Sequence, residues 1–189
     1  MKVVSETSWF DNSVLLNDMK KAGGLLVNQY IIPWTVEGVA TGYEGNNSGG
    51  FATYIEAELM DGSIKRLLLD TGWNPRWMEK RMIEEGVSEK LAKKQIDYWV
   101  VSHEHFDHYW GLEAVLKYNP NQDVYVPKGF YTEGFDLLKG KAFPKAHLKN
   151  DYPHKGKVIV NDSSKVNPLF PGAALMTFDV PIICRVFGE

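Results

Sequence analysis

The chain has 189 residues, a formal net charge of −3, 44% hydrophobic and 13% aromatic residues, and a single cysteine. That size and apolar fraction suit one globular domain over residues 1–189 with a substantial core, and they exclude a disordered or fibrous chain. The lone Cys184 excludes an internal disulfide and a four-thiolate metal site, and a balance this close to neutral gives no electrostatic reason to expect nucleic-acid binding. No apolar run reaches the roughly 18 residues of a membrane span. The first ten residues lack the basic start, apolar stretch and small-residue cleavage site of a secretion signal, so a cytoplasmic protein without a membrane partner is expected.

In chain order, residues 2–7 read as a short strand, 14–21 as a short helix stopped by Gly23-Gly24, and 25–34 as an extended segment. Five glycines and two asparagines between positions 38 and 50 make a loop. Residues 51–60 alternate as a strand, Asp61-Gly62 signals a hairpin turn, and 64–69 form a second strand running into Asp70-Thr71-Gly72. Asn74-Pro75 supplies an N-cap and first helical position. Trp77, Met78, Met82 and Ile83 give that helix its apolar face until Gly86 stops it. Ser88 is expected to cap a further short helix through about residue 94. Residues 96–101 then form a strand whose continuous apolar run implies burial on both faces.

Directly after that strand the chain reads Ser102-His103-Glu104-His105-Phe106-Asp107-His108, so three of the five histidines fall within six residues. In extended backbone alternate side chains share a face, which groups His103, His105 and Asp107; His108 joins them if the chain turns there into a helix. Two imidazoles, a carboxylate and a third imidazole are suitable ligands for zinc or another borderline divalent ion. Residues 109–118 follow with helical composition, Leu112, Val115 and Leu116 on one face, ended by Asn119-Pro120. A helical protease motif is excluded because Asp107, not histidine, stands four residues after His103. His147 and His154 lie in a Lys- and Pro-rich stretch, residues 143–157, and are expected to be solvated surface residues.

These residues resemble the metallo-β-lactamase-fold hydrolases: His103-x-His105-x-Asp107-His108 after an apolar strand, Gly111-Leu112 opening a helix, and upstream Leu67-Leu68-Leu69-Asp70-Thr71-Gly72. The text from position 86 to 120 is most similar to the branch named after dihydropterin-ribofuranosylaminobenzene phosphate synthase. The resemblance implies an α/β fold, an αββα sandwich with a metal site at one edge of its two sheets. It implies that His103 and His105 ligate a first metal and Asp107 and His108 a second, with Asp70 fixing the ligand loop. The implied chemistry is hydrolysis by metal-activated water, with Asp107 orienting the nucleophile and accepting its proton. Zinc, as one or two ions, is the expected cofactor; iron and manganese remain compatible with these donors. The flavin-linked diiron proteins of the same fold are disfavoured, since they place Glu where His105 stands. Family substrates range from lactams, thioesters and lactones to phosphodiesters and nucleic acids, so a small-molecule substrate is expected without its class being fixed.

The sequence also departs from that family. A complete site there takes a histidine from a later strand, an acidic or cysteine bridging ligand, and a last histidine near the C-terminus. After His108 only His147 and His154 are available, and none follows His154. Asp179 reads as a turn or strand-end residue, Cys184 as a small core residue, and Trp110 stands where relatives carry a small side chain. Later strands are expected at 157–160, 173–178 and 182–187, and the text ends at Gly188-Glu189 as if before the second half of the sandwich is complete. Half a sandwich would expose an apolar sheet face, so a homo-oligomer or a complementing second chain is the expected partner. The alternative to an enzyme is an incomplete metal-binding or assembly module.

Overall fold

The computed structural model describes residues 2–5, 51–72, 75–143, 148–162 and 165–177. The expected elements at 14–21, 25–34 and 182–187, the loop at 38–50, His147, Asp179 and Cys184 lie outside these residues. The described part is a mixed α/β fold built on a six-stranded sheet, in the order β1-β2-β3-β4-β5-β6 along both the chain and the sheet. The strands are β1 (Lys2–Ser5), β2 (Ala52–Glu58), β3 (Ile64–Leu69), β4 (Tyr98–Val100), β5 (Val124–Pro127) and β6 (Val158–Asn161). The first three are antiparallel neighbours, whereas β3 through β6 run parallel. Their carboxyl ends therefore share one edge, which is where parallel sheets gather ligand sites.

The hairpin between β2 and β3 forms as its turn residues direct, with the Ser63 N–H donating to the Asp61 carboxylate at 2.9 Å. Parallel strands need crossovers, and these are helical. Helices α1 (Pro75–Glu84) and α2 (Val87–Ala92) join β3 to β4. Helix α3 (Phe106–Tyr109), a 3-10 turn (Trp110–Leu112) and α4 (Glu113–Leu116) join β4 to β5, and α5 (Thr132–Leu138) follows β5. The single helix expected over 109–118 is thus broken by the tighter turn at Trp110–Leu112, although Leu112, Val115 and Leu116 are fully buried as its face requires. Gly86 takes the left-handed conformation between α1 and α2, φ 72°, and is the N-cap of α2. Ser88 lies buried in the first turn of that helix rather than capping it. On α1, Met78 and Met82 are fully buried while Ile83 is 54% exposed, so the apolar face is narrower than the sequence suggested.

Register explains why the sheet needs cover on both sides. Tyr54, Leu68, Trp99 and Val124 are successive cross-strand partners. They belong to the core that the helices close with Met78, Met82, Leu91, Val115 and Leu116. One residue along, Leu69, Val100 and Tyr125 form the adjacent row, which by strand alternation faces the other way. That second face is apolar too, and the antiparallel pair β7 (Asn167–Phe170) and β8 (Ala173–Leu175) reaches it. The Tyr98 hydroxyl donates to the Leu169 carbonyl at 2.6 Å and its ring lies 5.7 Å from that of Phe170. A sheet apolar on both faces is what a layered sandwich demands. Trp110, expected either to narrow a pocket or to pack, is buried in the helix-side core. Among the described residues no helix is long and apolar enough to cross a membrane.

Candidate metal centre

Strand β4 ends at Val100, and residues 101–105 carry no regular secondary structure before α3 begins at Phe106. His103 and His105 meet each other there while Glu104 reaches Tyr131, and Asp107 and His108 lie in the one turn of α3. On the neighbouring strand, β3 delivers Asp70 to the same edge. Asp70 is 1% exposed and takes a left-handed backbone conformation, φ 61°, which a short polar side chain tolerates at a cost on the order of 1 kcal/mol. Its carboxylate accepts from the Ser102 backbone N–H at 2.7 Å and from the Ser102 hydroxyl at 2.8 Å, and His108 Nδ1 lies 2.8 Å from Oδ2.

The backbone of this loop is clamped independently of those side chains. Thr71 N–H donates to the His108 carbonyl, Gly111 N–H to the Gly72 carbonyl, Gly72 N–H to the Phe51 carbonyl and Phe51 N–H to the Asp107 carbonyl, each at 2.8 Å. The approach is so close that a Cβ on Gly111 would stand 2.1 Å from the Thr71 carbonyl oxygen. Glycine at 111 is therefore a requirement of the clamp. It joins the two sequence motifs physically, Asp70-Thr71-Gly72 on one side and His108 to Gly111 on the other.

Three imidazoles crowd above this base. His103 Nε2 lies 3.0 Å from His105 Nδ1, the Ser102 hydroxyl is 2.9 Å from His103 Nδ1, and the His103 and His108 rings are 4.2 Å apart between centroids. Phe51 covers His108 at 5.6 Å. Burial, reinforced by repulsion from His108 and His105, pushes the pKa of His103 down to about 3. Burial likewise lowers His105, against an opposing pull from Asp107. At His108 burial works downward as well, but the hydrogen bond and charge of Asp70, with Asp107 adding, prevail and raise it. Asp107 approaches His108 Nε2 only to 3.6 Å.

The expected residues His103, His105, Asp107, His108 and Asp70 are thus brought to one edge of the sheet. Whether they suit a divalent ion has two parts. The donor chemistry fits: neutral imidazoles are metal ligands, and His105 Nε2 is buried without a hydrogen-bond partner. The convergence is absent, since among the described residues no three His, Cys, Asp or Glu side chains are arranged to hold one ion. The His103 and His105 rings instead contact each other edge to face, 4.5 Å between centroids.

The family model of the metallo-beta-lactamase superfamily matches residues 48–176, a span holding both motifs and the whole clamp. The chain belongs to the metallo-beta-lactamase superfamily. Among solved structures it is similar to MEM-A1, a subclass B3 metallo-beta-lactamase isolated from a soil metagenome library, with 18% identity over 66% of this chain and 44% of that one and a TM-score of 0.42. It is also similar to the metallo-beta-lactamase SMB-1 solved with mercaptoacetic acid, at 19% identity over 68% of this chain and 46% of that one, TM-score 0.41. The FEZ-1 metallo-beta-lactamase from Legionella gormanii matches at 19% identity over 65% and 47%, TM-score 0.35. The chain spans less than half the length of these three structures. No curated protein matches.

Two further polar residues of this superfamily member, Ser102 and Glu104, stand at the site without a role that the sequence alone assigns. Ser102 links Asp70 to His103, and its place between an apolar strand and the first histidine was the available signal. Glu104 is fully buried, with Oε1 accepting from the Tyr131 N–H at 3.1 Å and Oε2 without a partner; burial pushes its pKa up. Strand alternation alone places it opposite His103 and His105, on the inward side. His154, in contrast, was expected to be solvated. It is half-buried, with Nε2 donating to the Gln122 carbonyl at 2.6 Å and its ring edge-on to Trp99, far along the strands from the ligand loop.

Proposed function

We propose that this chain is a metal-dependent hydrolase in which His103, His105, Asp107 and His108 are the metal ligands and Asp70 holds their loop in place. The observation that carries the reading is the Asp70–Ser102–His103–His105 chain of hydrogen bonds, with His108 also on Asp70 and an unpartnered buried nitrogen on His105. Its support is membership of the superfamily together with two imidazoles, His103 and His105, whose pKa burial lowers. When bound, a divalent ion supplies Lewis acidity that polarises the scissile carbonyl or phosphoryl and makes water nucleophilic near neutral pH; zinc suits these donors best, with iron or manganese as alternatives. The chain's own residues do the rest. Asp70 fixes the His108 ring through Nδ1 and so presents Nε2 outward. Asp107, partly exposed beside that nitrogen, is placed to orient water and take up its proton. Phe51 shields the His108 ring from solvent on one side.

The test is hydrolysis of a panel of phosphodiesters, thioesters and lactones by metal-loaded protein and by its Asp107→Ala variant. Turnover that depends on metal and falls at least about a hundredfold in the variant, with the fold intact, supports the assignment. Full activity in Asp107→Ala would sink it.

A second reading rests on a specific observation, that no three donors converge in the described residues. On this reading the chain is a metal-binding or assembly module whose site is completed by a further segment, a second copy or another chain. Light scattering in the presence and absence of zinc separates the two: metal-dependent association favours the module, and metal-dependent turnover by a monomer favours the hydrolase.

A further inference from the structure

The ligand loop is held from two opposite sides, and only one of them belongs to the Asp70 network. Glu104 points away from the histidines, is fully buried, and accepts the Tyr131 N–H at 3.1 Å. Tyr131 is the N-cap residue of α5, in extended conformation with φ −70° and ψ 152°. Two more contacts tie the same segment to the first helical turn after the ligand loop: the Tyr109 hydroxyl donates to the Gly134 carbonyl at 2.8 Å, and the Phe130 ring stands edge-on to Tyr109 at 5.2 Å. A buried carboxyl is costly to retain where an apolar side chain would fill the same space, so its persistence between two imidazoles calls for a role. Among the described residues its hydrogen-bond donor is the Tyr131 backbone N–H, 27 residues later in the chain.

We infer that Glu104 is a positioning residue whose hydrogen bond to the Tyr131 backbone N–H tethers the ligand loop to the start of α5 and so sets the directions of His103 and His105. Asp70 fixes the loop from the β3 side and Glu104 from the α5 side. Because His103 and His105 flank Glu104 directly in the chain, a backbone movement at this residue carries both imidazoles with it. The inference rests on residues 102–108 being the ligand loop, and it assigns Glu104 no contact with substrate or reacting atoms.

Both partners of the bond can be removed separately. Tyr131→Pro deletes the N–H while its φ already suits proline, and Tyr131→Ala removes the same ring but keeps the N–H. Glu104→Gln keeps an acceptor oxygen, and Glu104→Ala does not. Each variant, checked for cooperative thermal unfolding, is examined metal-free by the ¹⁵N imidazole signals of His103 and His105 and then titrated with cobalt(II). Tyr131→Pro and Glu104→Ala are expected to shift those signals and to weaken cobalt binding about 10- to 100-fold, while Tyr131→Ala and Glu104→Gln stay within about threefold of the parent. A purely packing role for the segment would instead penalise Tyr131→Ala and Tyr131→Pro alike. Tyr131→Pro matching Tyr131→Ala in both readouts overturns the inference, as does Glu104→Gln behaving as Glu104→Ala. If Glu104→Ala does not fold, the Tyr131 pair decides. If the parent takes up no cobalt, the metal reading fails, and the imidazole signals alone decide the tether.

Discussion

The two ends of the parallel strands are built from similar residue types and differ in how their hydrogen bonds close. At the amino end, Asn119 donates to the Gln122 side chain, Gln122 donates to the Ile96 carbonyl, and His154 donates to the Gln122 carbonyl. Each of these groups caps or bridges backbone that the sheet leaves open, and the histidine is one structural link among them. At the carboxyl end the Ser102 hydroxyl meets His103, His103 meets His105, His105 Nε2 has no partner, and the Asp70 backbone is left-handed. Burial lowers the pKa of His154 as it does that of His103 and His105, so low basicity does not separate the two ends. What separates them is closure, and sites that retain strain and open donors are those where function competes with stability.

The largest expected effect tests the base of the open end. Asp70→Ala removes the acceptor of the Ser102 N–H, the Ser102 hydroxyl and His108, and is expected to destabilise the protein by about 3 kcal/mol in chemical denaturation. Asp70→Asn, which tolerates the same backbone conformation, should recover part of that loss. A change under about 0.5 kcal/mol for Asp70→Ala would show that the clamp is held by backbone alone.

A matched pair then probes closure itself. His154→Leu strands the Gln122 carbonyl and is expected to destabilise by about 1–2 kcal/mol, whereas His105→Leu gives up the contact of Nδ1 with His103 but also removes the unpartnered Nε2, and is expected to cost less than about 0.5 kcal/mol. Equal losses at both positions would erase the distinction between the two ends.

The smallest effect is a pH dependence of the metal-free protein. The folded pKa values of His103, His105 and His154 lie below that of a free imidazole, about 6.5. The unfolded chain therefore binds more protons below that pH, so their contribution is complete above about pH 6.5 and is lost as pH falls toward the His103 value of about 3. His108 runs the other way: its contribution is present below the ordinary imidazole value and declines as pH rises through its raised folded value. Denaturation midpoints are expected to fall between pH 6.5 and 4 in the parent, and less steeply in His154→Leu. A flat profile there would contradict the burial of these rings.

Much of this was legible in the sequence where the signal is local. The hairpin at Asp61-Gly62, the bounds of β3, and the strand–histidine–helix order around His103 all follow from residues adjacent in the chain. Strand β5 and helix α5 were not anticipated: Val124–Pro127 is only four residues long, and α5 carries Gly134 in its middle. Position was misjudged wherever the deciding partner is remote. His154 reads as solvated among lysines and prolines because its acceptor lies 32 residues earlier, and Glu104 looks like a spacer because its donor lies 27 residues later. The superfamily was legible because its two motifs meet at Gly111, a contact both motifs are shaped to make.

Metal content tests the central claim most directly. The parent protein, purified without chelator and compared by elemental analysis with the His103→Ala/His105→Ala double variant, is expected to carry about one to two divalent ions per chain, and the double variant close to none. A folded parent free of metal after incubation with zinc, or a double variant that retains the parent's content, would contradict the assignment of residues 102–108 as the ligand loop.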